Sequence, residues 1–204
     1  MTGGGVEARE VSALDDREDE VTDRIEGRRR NQGRRAAGAV DGIEDRVRPV
    51  ERFRYLVLAA QREGNRLLAE LLRPLGLSPS QAEVLRVLAD TPGLSLQQLG
   101  RRLVCEAGSP SRLVDGLVDG LVRADLVARE ADEVDRRSVR LHLTPTGHAA
   151  ADAVAAREAN LYALLDSALQ PADLAAANHA LERAVHGITA GEALALREQD
   201  QPGA

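Results

Sequence analysis

Three groups of residues in this chain have types and spacings suited to chemistry. The first is Ser109-Pro110-Ser111-Arg112. Proline there is preset for a first helical turn, where unpaired backbone N–H groups attract an anion. The Arg112 guanidinium can donate two coplanar hydrogen bonds, the geometry offered by O6 and N7 of guanine; its plainer role is an exposed side chain on a helix. The second group is Asp132-x-x-Asp135-Arg136-Arg137. An arginine in such a charged turn can enter a groove of concentrated negative potential, or it can form surface ion pairs worth under about 1 kcal/mol. The third group is Cys105 with the scattered His142, His148, His179, Glu182 and His186. His179, Glu182 and His186 fall at i, i+3 and i+7, but three ligands on one exposed helix span too great a length to close around one ion. Cys105 fits a small buried thiol better than a redox sensor. No set of nucleophile, base and orienter and no phosphate-binding glycine loop is visible, so neither an enzyme nor a cofactor or metal is expected.

These residues need elements to position them. From Glu51 to Arg73, Leu56, Ala59, Ala60, Leu67, Leu68, Leu71 and Leu72 recur at helical spacing, and Pro74 stops the segment. Ser78-Pro79-Ser80-Gln81 is a capping box that opens a helix to about Asp90. Ser95-Leu96-Gln97-Gln98 repeats it and opens a short helix to Val104, and Ser109-Pro110 starts another to about Ala124. In that last helix Leu113, Val114, Leu117, Val118 and Leu121 fall on one side, with Arg112, Gly116, Asp119 and Arg123 opposite. One face packs; the other meets solvent or a groove. The period then becomes two, with Val139, Leu141 and Leu143 alternating with Ser138, Arg140 and His142. Leu126 to Glu130 is the expected antiparallel partner, and the charged segment Ala131 to Arg137 joins the two strands into a wing. Thr144-Pro145 caps a helix to about Ala168, and Gln170-Pro171 caps a last one to about Arg197.

Composition limits what such a chain can be. A length of 204 residues is too short for two large enzyme domains. A net charge of −6 argues against a generic polyanion binder, because attraction to phosphate grows with the basic groups presented to it. The local balance is −2 over 1–48, +1 over 49–93, 0 over 94–144 and −5 over 145–204, which makes the C-terminal quarter the surface least suited to DNA. No apolar run exceeds the six residues Tyr55 to Ala60, whereas a membrane-spanning helix needs roughly 20. Met1 to Asp16 have neither a cationic start nor an apolar stretch of signal-peptide length, and the single Cys105 cannot form an intramolecular disulfide. The expected compartment is the cytoplasm, with no membrane partner. Residues 1–48 read as a disordered charged tail whose Arg28-Arg29-Arg30 and Arg34-Arg35 are either solvated or an electrostatic arm for DNA; residues 199–204 read as a flexible end.

The expected fold class is therefore mainly α with a small two-stranded antiparallel wing, a winged helix-turn-helix flanked by dimerisation helices. Residues 50 to about 195 resemble the MarR family of bacterial transcriptional regulators. The resemblance is densest from Leu77 to Gly147 and is carried by Leu77-Ser78 with Gln81 and Val84-Leu85, Leu99, Arg112-Leu113-Val114-Asp115, Leu126-Val127, Asp132-x-x-Asp135-Arg136-Arg137, and Leu143-Thr144 with Gly147. It implies a domain over 49–198, with a winged core at 77–147 and dimerisation helices at 51–73 and 145–197. It further implies that Arg137 enters the minor groove while Asp135 holds the loop or orients an arginine. With Arg136, and with Ser109, Ser111, Arg112 and Gly116 on the recognition helix, these are the candidate DNA-binding residues. The apolar surfaces of the outer helices need burying, and a homodimer is the economical answer. Leu56, Leu67, Leu71, Leu161, Leu164, Leu165, Leu181 and Val185 are its candidate contacts. Two recognition helices on one side of a dimer predict a near-palindromic operator with half-sites about 10 base pairs apart. The peroxide-sensing and zinc-responsive branches of the family use residues in the first long helix that this chain lacks.

One departure from the family pattern falls in the recognition helix. Leu113-Val114-Asp115-Gly116 is repeated at once as Leu117-Val118-Asp119-Gly120. Four residues make about 1.1 turns, so the repeat keeps the apolar face and lengthens the helix by about 6 Å. Each helix-interior glycine costs about 1 kcal/mol relative to alanine, and Asp115 and Asp119 add negative charge near a surface meant for phosphate. Either Gly116 permits close backbone approach to DNA, or the chain binds DNA weakly. The expected function is a dimeric, sequence-specific DNA-binding regulator, a repressor whose double-stranded DNA is released when a small-molecule effector binds. The alternative is a protein-interaction module that keeps the winged dimer without binding DNA.

Overall fold

The computed structural model describes residues 48–109, 111–132 and 138–200, without the side chain of Leu164. The chain divides into two units, residues 1–67 and 68–204. The described part of the first unit is most of helix α1, Pro49–Leu72. Val50, Phe53, Tyr55, Leu56, Val57 and Leu58 are all solvent-exposed on it. An apolar helical surface of this kind is stable in water only when something covers it.

The second unit starts at the end of α1, where Leu71 and Leu72 turn into a core. Pro74 ends the α-helix in a 3-10 turn, Arg73–Leu75, and Gly76 closes that turn at φ +67, a left-handed conformation that favours glycine. Helix α2, Pro79–Asp90, has the expected capping box: the Gln81 amide donates to Ser78 Oγ and the Ser78 amide to Gln81 Oε1. Helix α3, Leu96–Gly100, is capped in the same way by Ser95 and Gln98. Helix α4 is Ser111–Arg123, with Pro110 outside the described residues. Strands β1, Val127–Ala131, and β2, Val139–Leu143, pair antiparallel in the register Val127↔Leu143, Arg129↔Leu141, Ala131↔Val139. Leu94 adds a one-residue bridge to Leu141, which fastens the hairpin to the α2–α3 loop. Helices α5, Pro145–Ala168, α6, Pro171–Val185, and α7, Thr189–Asp200, complete the chain.

The core is aliphatic. Leu72, Val84, Leu85, Leu88, Leu99, Leu103, Val118, Leu121, Val127, Leu141 and Val154 are fully buried, so every α-helix and strand from the end of α1 to α5 contributes. Burial of each is worth about 1.5–3 kcal/mol relative to exposure. With only three aromatic residues in the chain, the packing depends on many mid-sized side chains rather than on a few large anchors.

The structure corrects three expectations. The short helix ends at Gly100 and not Val104, because Glu83 of α2 takes the Val104 and Cys105 amides at 2.7 and 2.9 Å and pulls the chain off the helical path. Leu113, expected on the packing face, is 47% exposed; Val114, Val118 and Leu121 fill that face, and Leu113 sits one 100° step outside it. The last helix is two helices. Gly187 turns left-handed at φ +73, and Gly191 lets α7 approach α6 so closely that a Cβ there would lie 2.1 Å from the Val185 carbonyl oxygen. His186 has left the helix with an extended backbone and shares no helical face with His179 and Glu182.

Candidate nucleic-acid interface

Helix α4 is held from below by Val114, Val118 and Leu121, which leaves its first turn in solvent. Ser111, Arg112 and Gly116 are exposed, and nothing lies within 4 Å of where a Gly116 Cβ would be. Arg112 is therefore presented to solvent at the positive end of the helix. Ser109 is placed differently. Its hydroxyl donates to Glu106 Oε2 at 3.0 Å, and Ser80 Oγ donates to the other carboxylate oxygen at 2.8 Å. Ser109 thus carries a carboxylate beside it and serves to tie the loop ahead of α4 to α2.

Asp115 and Asp119, the acidic pair of the repeated tetrapeptide, both face one cation. Arg129 Nη2 of β1 lies 2.7 Å from Asp115 Oδ1 and 2.8 Å from Asp119 Oδ1. The i, i+4 spacing puts both carboxylates on one flank of the helix, and the pleat points Arg129 to the same side of the hairpin as the buried Val127. On the opposite face of the hairpin Arg140 pairs with Asp132, which is 7% exposed, and donates at 3.2 Å to both the Gly93 carbonyl and Gln98 Oε1. Asp132 N also donates to the Ser138 carbonyl, closing the base of the wing. The hairpin is thus tied to α4 by one arginine and to α3 by another. Asp135, Arg136 and Arg137 lie outside the described residues.

The Leu-Thr-x-x-Gly segment has a physical cause. Thr144 Oγ1 accepts from the Gly147 amide at 2.9 Å and donates to the Asp125 carbonyl at 2.6 Å, while the Thr144 amide donates to the Leu126 carbonyl. A Cβ on Gly147 would lie 1.9 Å from that Leu126 oxygen, so only glycine fits. These bonds fix where α5 leaves the wing.

Sequence reasoning missed Glu83, Arg129 and Arg140. Glu83 is 8% exposed, and besides the two loop amides it accepts from Arg197 of α7 at 3.2 Å. Its signal was a charged residue between Ala82 and Val84 in an apolar stretch. Arg129 and Arg140 were visible as basic residues on opposite faces of paired strands. Cys105, expected to be buried, is exposed. Even so, partial burial of the thiol, then the charges of Glu83 and Glu106, push its pKa up to about 12. Of the residues expected in a dimer, Leu56, Leu165 and Leu181 are exposed, Leu67, Leu161 and Val185 half-buried, and Leu71 is buried within the single chain.

A helix presented by a buried neighbour, followed by a hairpin tied to it, defines a winged helix-turn-helix. Residues 77–147 match the family of winged helix DNA-binding domains. The uncharacterized HTH-type transcriptional regulator YkoM of Bacillus subtilis (strain 168) is 37% identical over 73 residues, 36% of this chain and 45% of that protein. The match thus spans under half the length of that relative. The structure of Bordetella bronchiseptica BpsR, from work on regulation of its DNA binding by 6-hydroxynicotinic acid, superposes with TM-score 0.61 at 22% identity, covering 69% of this chain and 98% of that one. The C80S mutant of MarR from E. coli, complexed with operator DNA, gives TM-score 0.60 at 22% identity over 67% and 95%. Residues 77–147 thus form a winged helix-turn-helix that matches the winged helix DNA-binding family, and the chain has the fold seen in the MarR structures.

Proposed function

We propose that this chain is a cytoplasmic, homodimeric, sequence-specific transcriptional regulator, a repressor that binds a near-palindromic operator and is released from it by a small molecule. The observation that carries the reading is the exposed first turn of α4, with Ser111 and Arg112 pointing into solvent beside an unobstructed Gly116. Arg112 reads guanine there by two donated hydrogen bonds. Arg137, with Asp135 and Arg136, serves the minor groove from the wing. The dimer is supported by the exposed apolar side chains of α1 and by Leu165 and Leu181, which need covering. Among the described residues no helix is long and apolar enough to cross a membrane. Effector release is drawn from BpsR, a protein of the same fold whose DNA binding is regulated by 6-hydroxynicotinic acid, and repression is the role that such release would relieve.

The test is a selection from genomic fragments by the full-length protein, followed by gel shifts. Retained fragments are expected to share an inverted repeat with half-sites about 10 base pairs apart. Arg112→Ala and Arg137→Ala are each expected to abolish or strongly weaken the specific shift while the protein stays a folded dimer. Unchanged binding by both variants refutes the reading, and no retained fragment at low salt favours a protein-interaction module instead.

A further inference from the structure

We infer that Arg129 is a charge mask, a positioning residue that neutralises Asp115 and Asp119 so that helix α4 can approach phosphate. The inference rests on the DNA-binding reading above. The repeated tetrapeptide places a second carboxylate one turn after the first on a helix whose neighbouring face is solvent-exposed. Left alone, two such charges repel a phosphate backbone, and the long reach of Coulomb forces in partly exposed sites makes their exact contact with DNA unnecessary. Arg129 answers both from a single guanidinium nitrogen, at 2.7 and 2.8 Å. That geometry requires both carboxylates on one flank, which the four-residue repeat supplies by placing them about 40° apart around the helix, whereas a five-residue repeat would separate them by about 140°. The two carboxylates and Arg129 are between a third and a half exposed, so the trio stands where a bound duplex feels it rather than in the core. Arg123 is exposed nearby in sequence, but it makes no ion pair with these aspartates among the described residues.

The mask makes predictions that a purely structural ion pair does not. The probe is the tightest-binding duplex recovered in the fragment selection, titrated with full-length protein over a range of salt. Arg129→Ala is expected to weaken binding roughly fivefold at low salt, with the loss shrinking as salt screens the exposed carboxylates. Adding Asp115→Asn and Asp119→Asn to Arg129→Ala is expected to restore binding, although the ion pairs are still absent. The two Asn substitutions with Arg129 intact are expected to tighten binding severalfold, because the freed cation adds to the attraction. If Arg129 instead contacts phosphate directly, the triple variant stays weak and the salt slope falls by about 0.9, and the mask is wrong. If Arg129→Ala binds as the unaltered protein does, the mask is also wrong, while the regulator reading stands. Failure of the unaltered protein to retain any duplex overturns the regulator reading itself.

Discussion

Replacing Gly116 with alanine separates the two readings that the repeated tetrapeptide leaves open. The residue is helical and exposed, and an added Cβ meets no atom within 4 Å. Alanine therefore loses no contact and gains helix propensity, about 1 kcal/mol. Part of that gain is the smaller conformational freedom of the unfolded chain. For a protein of this length the midpoint is expected to rise by roughly 2–4 °C. Thermal and urea melts followed by circular dichroism, at one fixed protein concentration so that any dimer dissociation contributes equally, measure it. Gly120→Ala is the internal comparison. Its Cβ would come 3.3 Å from Gln81 Nε2, and the same Gln81 side chain accepts from the Ser78 amide in the α2 capping box. Disturbing that cap offsets the propensity gain, so little net change is expected. A fall in midpoint for Gly116→Ala refutes the placement of its face in open solvent. On DNA, the same variant is expected to bind at least about tenfold more weakly if the backbone comes into contact with the duplex, since a methyl group then stands in the interface. Unchanged affinity removes Gly116 from the interface and leaves it as a cost to the helix alone.

Other perturbations follow from single sites. Gly147→Ala forces a Cβ onto the Leu126 carbonyl and is expected to cost about 3–5 kcal/mol, among the larger effects a point change produces; a melt unchanged within about 1 kcal/mol contradicts the placement of α5. The Cys105 thiol, with its pKa pushed up to about 12 from 9.0, is expected to alkylate roughly 30-fold more slowly at pH 8 than an unperturbed thiol, the scarcer thiolate being partly offset by its greater nucleophilicity. Glu83→Gln removes one of the negative charges responsible and is expected to speed the alkylation, which iodoacetamide labelling and mass spectrometry would follow. Burial holds the Glu158 carboxyl above the usual carboxylate range despite Arg86 at 3.7 Å. A raised carboxylate pKa means that the folded state binds its proton more tightly than the unfolded chain does. Its contribution is therefore most favourable below the unfolded pKa and is lost as pH rises through the folded one. Glu158→Gln is accordingly expected to raise the melting midpoint at pH 7 and to make no difference near pH 4.

What the sequence made legible was whatever local chemistry controls. Ser78 with Gln81, and Ser95 with Gln98, are reciprocal caps decided within four residues, and both helices start where those residues say. The period-two run Val139 to Leu143 paired in a register that buries Leu141, because a one-residue slip would turn that leucine to solvent. Gly147 was noticed as part of a pattern, but its reason, a carbonyl 1.9 Å from its absent Cβ, exists only once α5 has met Leu126, the residue before β1. The misses share the same origin. The short helix ends early because Glu83, 21 residues upstream of Val104, captures its amide, and no window along the chain contains both. The split of the last helix was legible in principle: Gly187 and Gly191 stand four residues apart, and a glycine in a helical pattern marks a break as readily as a tolerated defect.

The long-range ions of the winged unit also explain why a net-neutral central region is compatible with a DNA surface. Eight basic and eight acidic residues between 94 and 144 cancel on paper, but in the fold many of the acids are already committed. Asp115 and Asp119 face Arg129, Asp132 faces Arg140, and Glu106 accepts from two serine hydroxyls. Arg112, by contrast, stands exposed on the first turn of α4. A formal charge count treats all these groups as equal, whereas a phosphate approaching α4 meets them in a definite order. The field at the helix start is set by the cation that reaches furthest and by the helix end behind it, with the paired groups screened at the flank. Neutrality summed over a segment therefore carries little information about the surface that the segment presents.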